Sequence, residues 1–210
     1  MVIDPAVIKP AIESYNRIAL TATYPVSYHL PALHGMDSIW QFQDNILGII
    51  VMGSAASVHD GHKWQNDITD LLLESFDKSI PVMGICYGHQ LLAHICGGKV
   101  SPLWNGKKEQ GQRKVSVREN SLWGKARSGQ MIYSHQDGVV SCPDDFEITA
   151  VSKMVSIDGF ASKTKPIWGF QTHIEATQAF INNHNITIDD SDDIFSFGHR
   201  ILDKFILSLA

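Results

Sequence analysis

The sequence predicts an α/β fold: a mainly parallel central sheet flanked by helices, with antiparallel hairpins at one edge. Three observations carry this expectation. Short apolar runs without alternation, "GIIVMG" at 48–53, "IPVMGI" at 80–85 and "IWGFQTH" at 167–173, read as strands buried on both faces. Helical spacing separates the first two runs and follows the second, so strands and helices alternate as they do around parallel sheets. The stretch 100–117 instead mixes turn residues with period-two alternation, the pattern of antiparallel hairpins.

Taken in order, residues 2–4 are expected to form a short first strand. Residues 5–20 follow as a helix, with Ile8, Ile12, Ile18 and Leu20 on its apolar side. "PVSYHL" at 25–30 alternates like a strand, and residues 64–76 form a polar helix between the first two buried runs. Residues 87–96 carry Leu91, Leu92 and Ile95 at helical spacing and stop at Gly97 and Gly98. A last helix over 192–209, capped by "DDSDD", would bury Ile194, Phe195, Leu202, Phe205 and Ile206. The chain has no internal repeat, and its 210 residues suit one domain over 1–210.

Composition narrows the function classes. A net charge of -5 gives no electrostatic case for nucleic acid or an anionic membrane as a partner. Eight of the 17 basic residues lie between Lys99 and Arg127, read here as solvated surface rather than a docking edge. The longest apolar stretch, 46–52, is far too short to span a bilayer, and "VIDPAVIKPA" lacks the pattern of a secretory leader. Three cysteines form no even framework, which favours free thiols in a reducing, cytoplasmic setting.

The chemistry concentrates at "GICYGHQ", 84–90, where a buried strand turns into a helix. Strand, sharp turn and helix make a nucleophile elbow, usually G-x-S-x-G; here Cys86 replaces the serine between Gly84 and Gly88. A thiolate at a helix N-terminus is stabilised by the unpaired backbone N–H groups there. A buried structural thiol accounts for Cys96 and Cys142 but for neither glycine beside Cys86. A cysteine nucleophile needs a base and the base an orienting partner. His173 meets this requirement, because Glu175 lies two residues on in "FQTHIEA" and, in an extended segment, projects to the same side. Two N–H donors for a tetrahedral oxygen are available at Tyr87 and at the strand end Gly53, Ser54. His89 and His94 read as packing on the elbow helix. His59 and His62 in "VHDGH" resemble a metal pair without further ligands, so no metal is expected there.

Together, "GSAAS" at 53–57, "GICYGHQLL" at 84–92, "SHQD" at 134–137 and "GFQTHIE" at 169–175 resemble the class I (triad) glutamine amidotransferases, in the branch similar to the glutaminase part of GMP synthetase. The resemblance implies a flavodoxin-like sheet and a Cys86, His173, Glu175 triad. It also implies an oxyanion hole from Gly53, Ser54 and Tyr87, substrate contacts from Gln90, Ser134, His135 and Gln136, and a half-reaction that needs no metal or organic cofactor. The implied substrate is L-glutamine, and the implied partner an ammonia-accepting synthetase subunit, because no synthetase domain is expected after Glu175; a homo-oligomer is also allowed for. Three departures stand out: Ser54 replaces a glycine, Ala55 a proline, and Ile174 the proline between His and Glu. Ser54 leads to the expectation of an oxyanion hole left unformed at rest. Two enzymes of related design, a γ-glutamyl hydrolase or peptidase and a cysteine-elbow hydrolase or stress protein, and a non-catalytic binding module are the alternatives.

Overall fold

Strands too apolar to face water on either side must be covered on both, and that requirement organises the chain. The computed structural model describes residues 1–189 and 193–209. The elements run β1 (Val2–Ile3), α1 (Ile12–Thr21), β2 (Tyr28–His29), α2 (Pro31–His34), α3 (Asp37–Trp40), β3 (Ile49–Val51), α4 (Lys63–Asp77), β4 (Val82–Ile85) and α5 (Tyr87–Ile95). They continue with β5 (Lys99–Pro102), β6 (Glu109–Val117), β7 (Arg127–His135), β8 (Asp137–Ser141), β9 (Phe146–Ser152), β10 (Gly159–Ser162), β11 (Ile167–Phe170), α6 (Gln178–His184) and α7 (Ser196–Leu207).

Among the described residues the main sheet has nine strands, ordered β2-β1-β3-β4-β11-β10-β9-β6-β7. From β2 through β11 neighbours are parallel; from β11 to β7 they are antiparallel. Alternate residues of the parallel strands feed two separate cores. Ile49, Val51 and Val82 pack with Ile68, Leu71, Leu72 and Phe76 of α4 and Leu91 and Leu92 of α5. Ile50, Met83 and Ile85 pack on the opposite face with Ile18 of α1 and Phe197, Ile201, Leu202, Phe205 and Ile206 of α7. This confirms the α/β class and the antiparallel edge, which is wider than the sequence suggested because β7, β9 and β10 join it.

Several boundaries differ from expectation. The first helix begins at Ile12 rather than residue 5, since Pro10 disfavours helix at the residue before it. The Asp4 carboxylate instead takes the Ala6 and Ala11 amides at 3.1 and 2.8 Å. Ile8, Ile12 and Leu20 are consequently exposed, and only Ile18 of the expected four is buried. The strand at 25–30 shortens to Tyr28–His29. β5 leaves the main sheet and pairs with β8 in a separate two-stranded ribbon. The strand at 167–173 ends at Phe170. The last helix starts at Ser196; Ile194 is buried in a separate cluster, and Phe195 stands ahead of the helix. Residues 190–192 of the expected "DDSDD" cap lie outside the described residues, while Asp193 accepts the Ser196 hydroxyl at 2.6 Å.

The elbow is set by how closely α5 approaches the sheet. A Cβ at Gly88 would stand 2.2 Å from the Val51 carbonyl oxygen, and one at Gly84 would stand 2.5 Å from Gly88 backbone. Only bare backbone fits there, which is the physical content of the two glycines. Gly88→Ala should therefore lower the unfolding free energy by about 3 kcal/mol, the upper range of overpacking costs. Urea denaturation measures it; an unchanged midpoint would mean that α5 can slide off β3 without cost.

Candidate active site

The elbow places Cys86 at φ 52, ψ -99, a sparsely populated backbone region for a residue with a side chain. Its amide donates to the Phe170 carbonyl at 2.8 Å and its carbonyl accepts from Gln90 N at 3.0 Å, so both neighbouring elements hold the strained residue. Beyond β11 the chain turns instead of running extended: Ala176 N bonds back to the His173 carbonyl at 3.2 Å. The i, i+2 argument for an extended segment thus does not apply, yet the turn produces the same pair. His173 Nδ1 and Glu175 Oε1 are 2.8 Å apart, both side chains buried. This bond orients the ring and leaves Nε2 as the ring nitrogen not engaged by Glu175. Burial disfavours a charged imidazole, but Glu175 and then Cys86 outweigh it and raise the His173 proton affinity above the ordinary value. Phe180 of α6 packs on the His173 ring with centroids 4.2 Å apart.

Gly53 lies against both groups: a Cβ there would meet His173 Cε1 at 2.8 Å and Cys86 Cβ at 3.6 Å. Ser54 lies outside the left-handed backbone region, and its hydroxyl donates to the Pro5 carbonyl at 2.7 Å while accepting from Ala56 N at 3.1 Å. Tyr87 opens α5 with its ring buried and its hydroxyl accepting from Gln65 Nε2 at 3.1 Å. The residues expected to touch a substrate are distributed differently. The Ser134 carbonyl lies 4.0 Å from Cys86 Sγ. Gln136 is exposed, and its carbonyl accepts from Leu103 N at 2.9 Å. Gln90 Nε2 is committed to the Asp137 carbonyl at 2.7 Å and Gln171 Oε1 at 3.2 Å, so its own Oε1 is the end left for a ligand donor.

His135 is held on both nitrogens. Nδ1 donates to the Asp137 carbonyl at 2.9 Å, and Nε2 therefore accepts from Arg113 Nη1 at 2.9 Å. Burial first and the Arg113 charge second push its pKa down to about 3, so it is neutral. Arg113 in turn pairs with the fully buried Asp158 and lies over the Tyr133 ring, 4.5 Å from its centroid. Arg113 is thus a buried exception to the solvated basic stretch; the other seven basic residues there are exposed. Sequence reasoning passed over Arg113, Asp158, Gln171 and Asp137. The last two stood inside quoted motifs, whereas no local pattern marks the ion pair. His89 is buried in a stack with Phe160, centroids 4.3 Å apart, whereas His94 is exposed and meets His59 edge-on. His59 Nε2 lies 3.1 Å from the Val100 carbonyl, and no metal-binding cluster occurs among the described residues. No described helix is long and apolar enough to cross a membrane.

Comparison with known proteins places this geometry in context. The model of the glutamine amidotransferase class-I family matches residues 17–187. A glutamine-hydrolysing GMP synthase of Phocaeicola vulgatus is 34% identical over 134 residues, covering 62% of this chain and 25% of the relative. That of Ligilactobacillus salivarius is 37% identical over 143 residues, covering 66% of this chain and 26% of the relative. The chain thus spans about a quarter of the length of the curated relatives it matches. Among solved structures, a glutamine amidotransferase from Methylobacillus flagellatus superimposes with TM-score 0.78 at 16% identity, covering 99% of this chain and 92% of that one. A putative GMP synthase subunit from Thermoplasma acidophilum gives TM-score 0.74 at 21% identity, with the same coverage. At these identities the structural matches establish the fold.

The buried histidines make stability depend on pH with a definite sign. Burial lowers His29 to about 4 and His89 to about 3, beside His135 at about 3. The unfolded chain takes up protons near pH 6.5 that these native sites refuse, so stability falls as pH drops from about 6.5 towards 4. Each histidine contributes up to about 1.36 kcal/mol per pH unit in that window. The raised His173 acts oppositely: its contribution is complete below pH 6.5 and is lost at higher pH. Urea unfolding across pH should show the acid-side loss, with a shallower slope in His29→Gln; a flat profile would contradict the neutral assignments.

Proposed function

This chain belongs to the class-I glutamine amidotransferase family, and on that premise we propose that it hydrolyses the side-chain amide of L-glutamine through a Cys86 thioester. The observation that carries the reading is the buried His173–Glu175 pair, 2.8 Å apart, beside a cysteine held at positive φ where α5 begins. His173 takes the Cys86 proton, and the sulfur attacks the amide carbon. The carbonyl oxygen, now negative, is held by backbone N–H groups of Ser54 and Tyr87. The tetrahedral species collapses, His173 protonates the departing nitrogen, and ammonia leaves. Water activated by the same imidazole then attacks the thioester, releasing glutamate and restoring the thiol.

Gln90 Oε1 and the Ser134 segment, both beside the nucleophile, fit the amino-acid end of a small substrate; His135 supports that segment with its ring spent on Arg113 and Asp137. Residues 1–210 are read as one amidotransferase-like domain, feeding ammonia to an acceptor synthetase. The Ser54 hydroxyl, bonded to Pro5 and Ala56, supports a resting segment whose amide is turned into place only when that acceptor docks.

Contrary to the expectation of buried structural thiols at Cys96 and Cys142, Cys86 is the buried cysteine and the other two are half-buried. A glutamine-analogue electrophile should still label Cys86 first, since burial pushes the Cys96 and Cys142 thiols up, Cys96 to about 11. An adduct found first on another cysteine, by mass spectrometry, would remove the assignment. Cys86→Ala should abolish ammonia release. Glu175→Gln should keep glutamine binding and slow turnover by on the order of tenfold to several thousandfold. Ser54→Gly should raise the partner-free rate by up to about 10²–10³, the worth of one oxyanion donor, without tightening glutamine binding. A wild type already fast alone, with the glycine variant no faster, would mean a preformed hole.

A further inference from the structure

We propose that Gln171 is a catalytic residue whose side-chain N–H donates to the Cys86 sulfur and stabilises it as a thiolate, both when it attacks and when the thioester releases it. The catalytic role rests on the glutaminase reading; the geometry concerns the thiol alone. The derivation starts at the Asp137 carbonyl, a backbone oxygen that can only accept. Gln90 Nε2 lies 2.7 Å from it, so the NH2 end of Gln90 must face it. The second hydrogen of that NH2 group is directed to Gln171 Oε1 at 3.2 Å. With its oxygen held there, Gln171 turns its own NH2 end to Cys86 Sγ, 3.7 Å away. An amide can rotate by half a turn at little change in shape; here a carbonyl two side chains away selects the orientation.

The surroundings make the donor consequential. Gln171 has no solvent exposure, so water does not compete for its N–H, and its backbone amide is fixed on the Asp158 carbonyl at 2.8 Å. Asp158 is itself held by Arg113. The Ser134 carbonyl, 4.0 Å from the sulfur, presents the negative end of a dipole and opposes a thiolate. The titratable and charged groups around the sulfur are His173 and Glu175 after β11, Asp4 after β1, Tyr87 and His89 on α5, and His135 and Arg113 on β7 and β6. None of these is a neutral donor aimed at the sulfur, and Gln171 is.

The test uses substrate-free alkylation of Cys86 by iodoacetamide as a function of pH, in which a C–S bond forms and iodide leaves. Gln171→Met keeps the length of the side chain and removes the donor. It should slow alkylation about tenfold at neutral pH, the loss of a hydrogen bond to a charged acceptor. The whole profile should move to higher pH, with an alkaline plateau at least as high, since a less stabilised thiolate is the stronger nucleophile. Gln90→Met leaves Gln171 in place without its anchor and should shift the profile the same way, by roughly two- to threefold at neutral pH, a fraction of that hydrogen bond. A wild-type profile in either variant, folded by circular dichroism, overturns the proposal. If the variants show these shifts but the wild type releases no ammonia from glutamine, even with its acceptor, the glutaminase reading is overturned and the Gln171 donor stands.

Discussion

The contact on which the molecule depends is backbone against backbone, where the first turn of α5 presses on β3 and β4. Gly88 comes so near the Val51 carbonyl that no side-chain carbon fits between them. This approach shortens the passage from β4 into the helix, and the short passage drives Cys86 to positive φ. The strain has to be held from outside, and the hydrogen bond from Cys86 N to Phe170 does so from β11, the strand that also delivers His173. Packing at the glycines, geometry at the sulfur and placement of the imidazole are therefore one mechanical problem with one solution.

Around this point the side-chain network is oriented by main-chain atoms. The Asp137 carbonyl accepts from both His135 Nδ1 and Gln90 Nε2. It thereby sets the tautomer of the one and the amide orientation of the other. The buried Arg113–Asp158 pair contributes position more than stability, since removing charges from water offsets most of their attraction. Its value lies in what hangs on it: His135 from the arginine, and the Gln171 backbone from the aspartate carbonyl. Ser57 adds a direct tie between the two ends of the site, donating to Asp137 Oδ2 at 2.9 Å.

Much of this was legible in the sequence where a local pattern has one physical cause. Continuous apolar runs meant strands covered on both faces, and glycines flanking Cys86 meant an elbow. Features set by distant partners were not legible. Nothing near Arg113 announces Asp158, and nothing in "VIDPAVIKPA" shows that Asp4 will take the amides of Ala6 and Ala11 and delay the helix. The His173–Glu175 spacing was read with the right outcome by the wrong geometry, because a turn can bring i and i+2 together as well as an extended strand can. Strands β7 and β9 escaped notice because their alternation is broken by the buried polar residues Ser134 and Thr149, and β10 because its four residues are too few to show a period.

The position of β11 has a consequence for how the molecule comes together. Among the described residues it is the last strand in sequence, yet it lies in the middle of the sheet, between β4 and β10. During synthesis the parallel half and the antiparallel half can each begin to pair, but no strand pairing joins them until residues 167–170 emerge. Until then the β4 edge stands open beside Cys86, which lacks both its hydrogen bond to Phe170 and its imidazole neighbour. Insertion between two waiting edges closes loops far apart in sequence, the kind of step that makes folding slow and leaves unpaired strands vulnerable to association. The same insertion that seals the sheet also brings the imidazole to the sulfur, so this pair of groups assembles only when the two halves of the sheet have met.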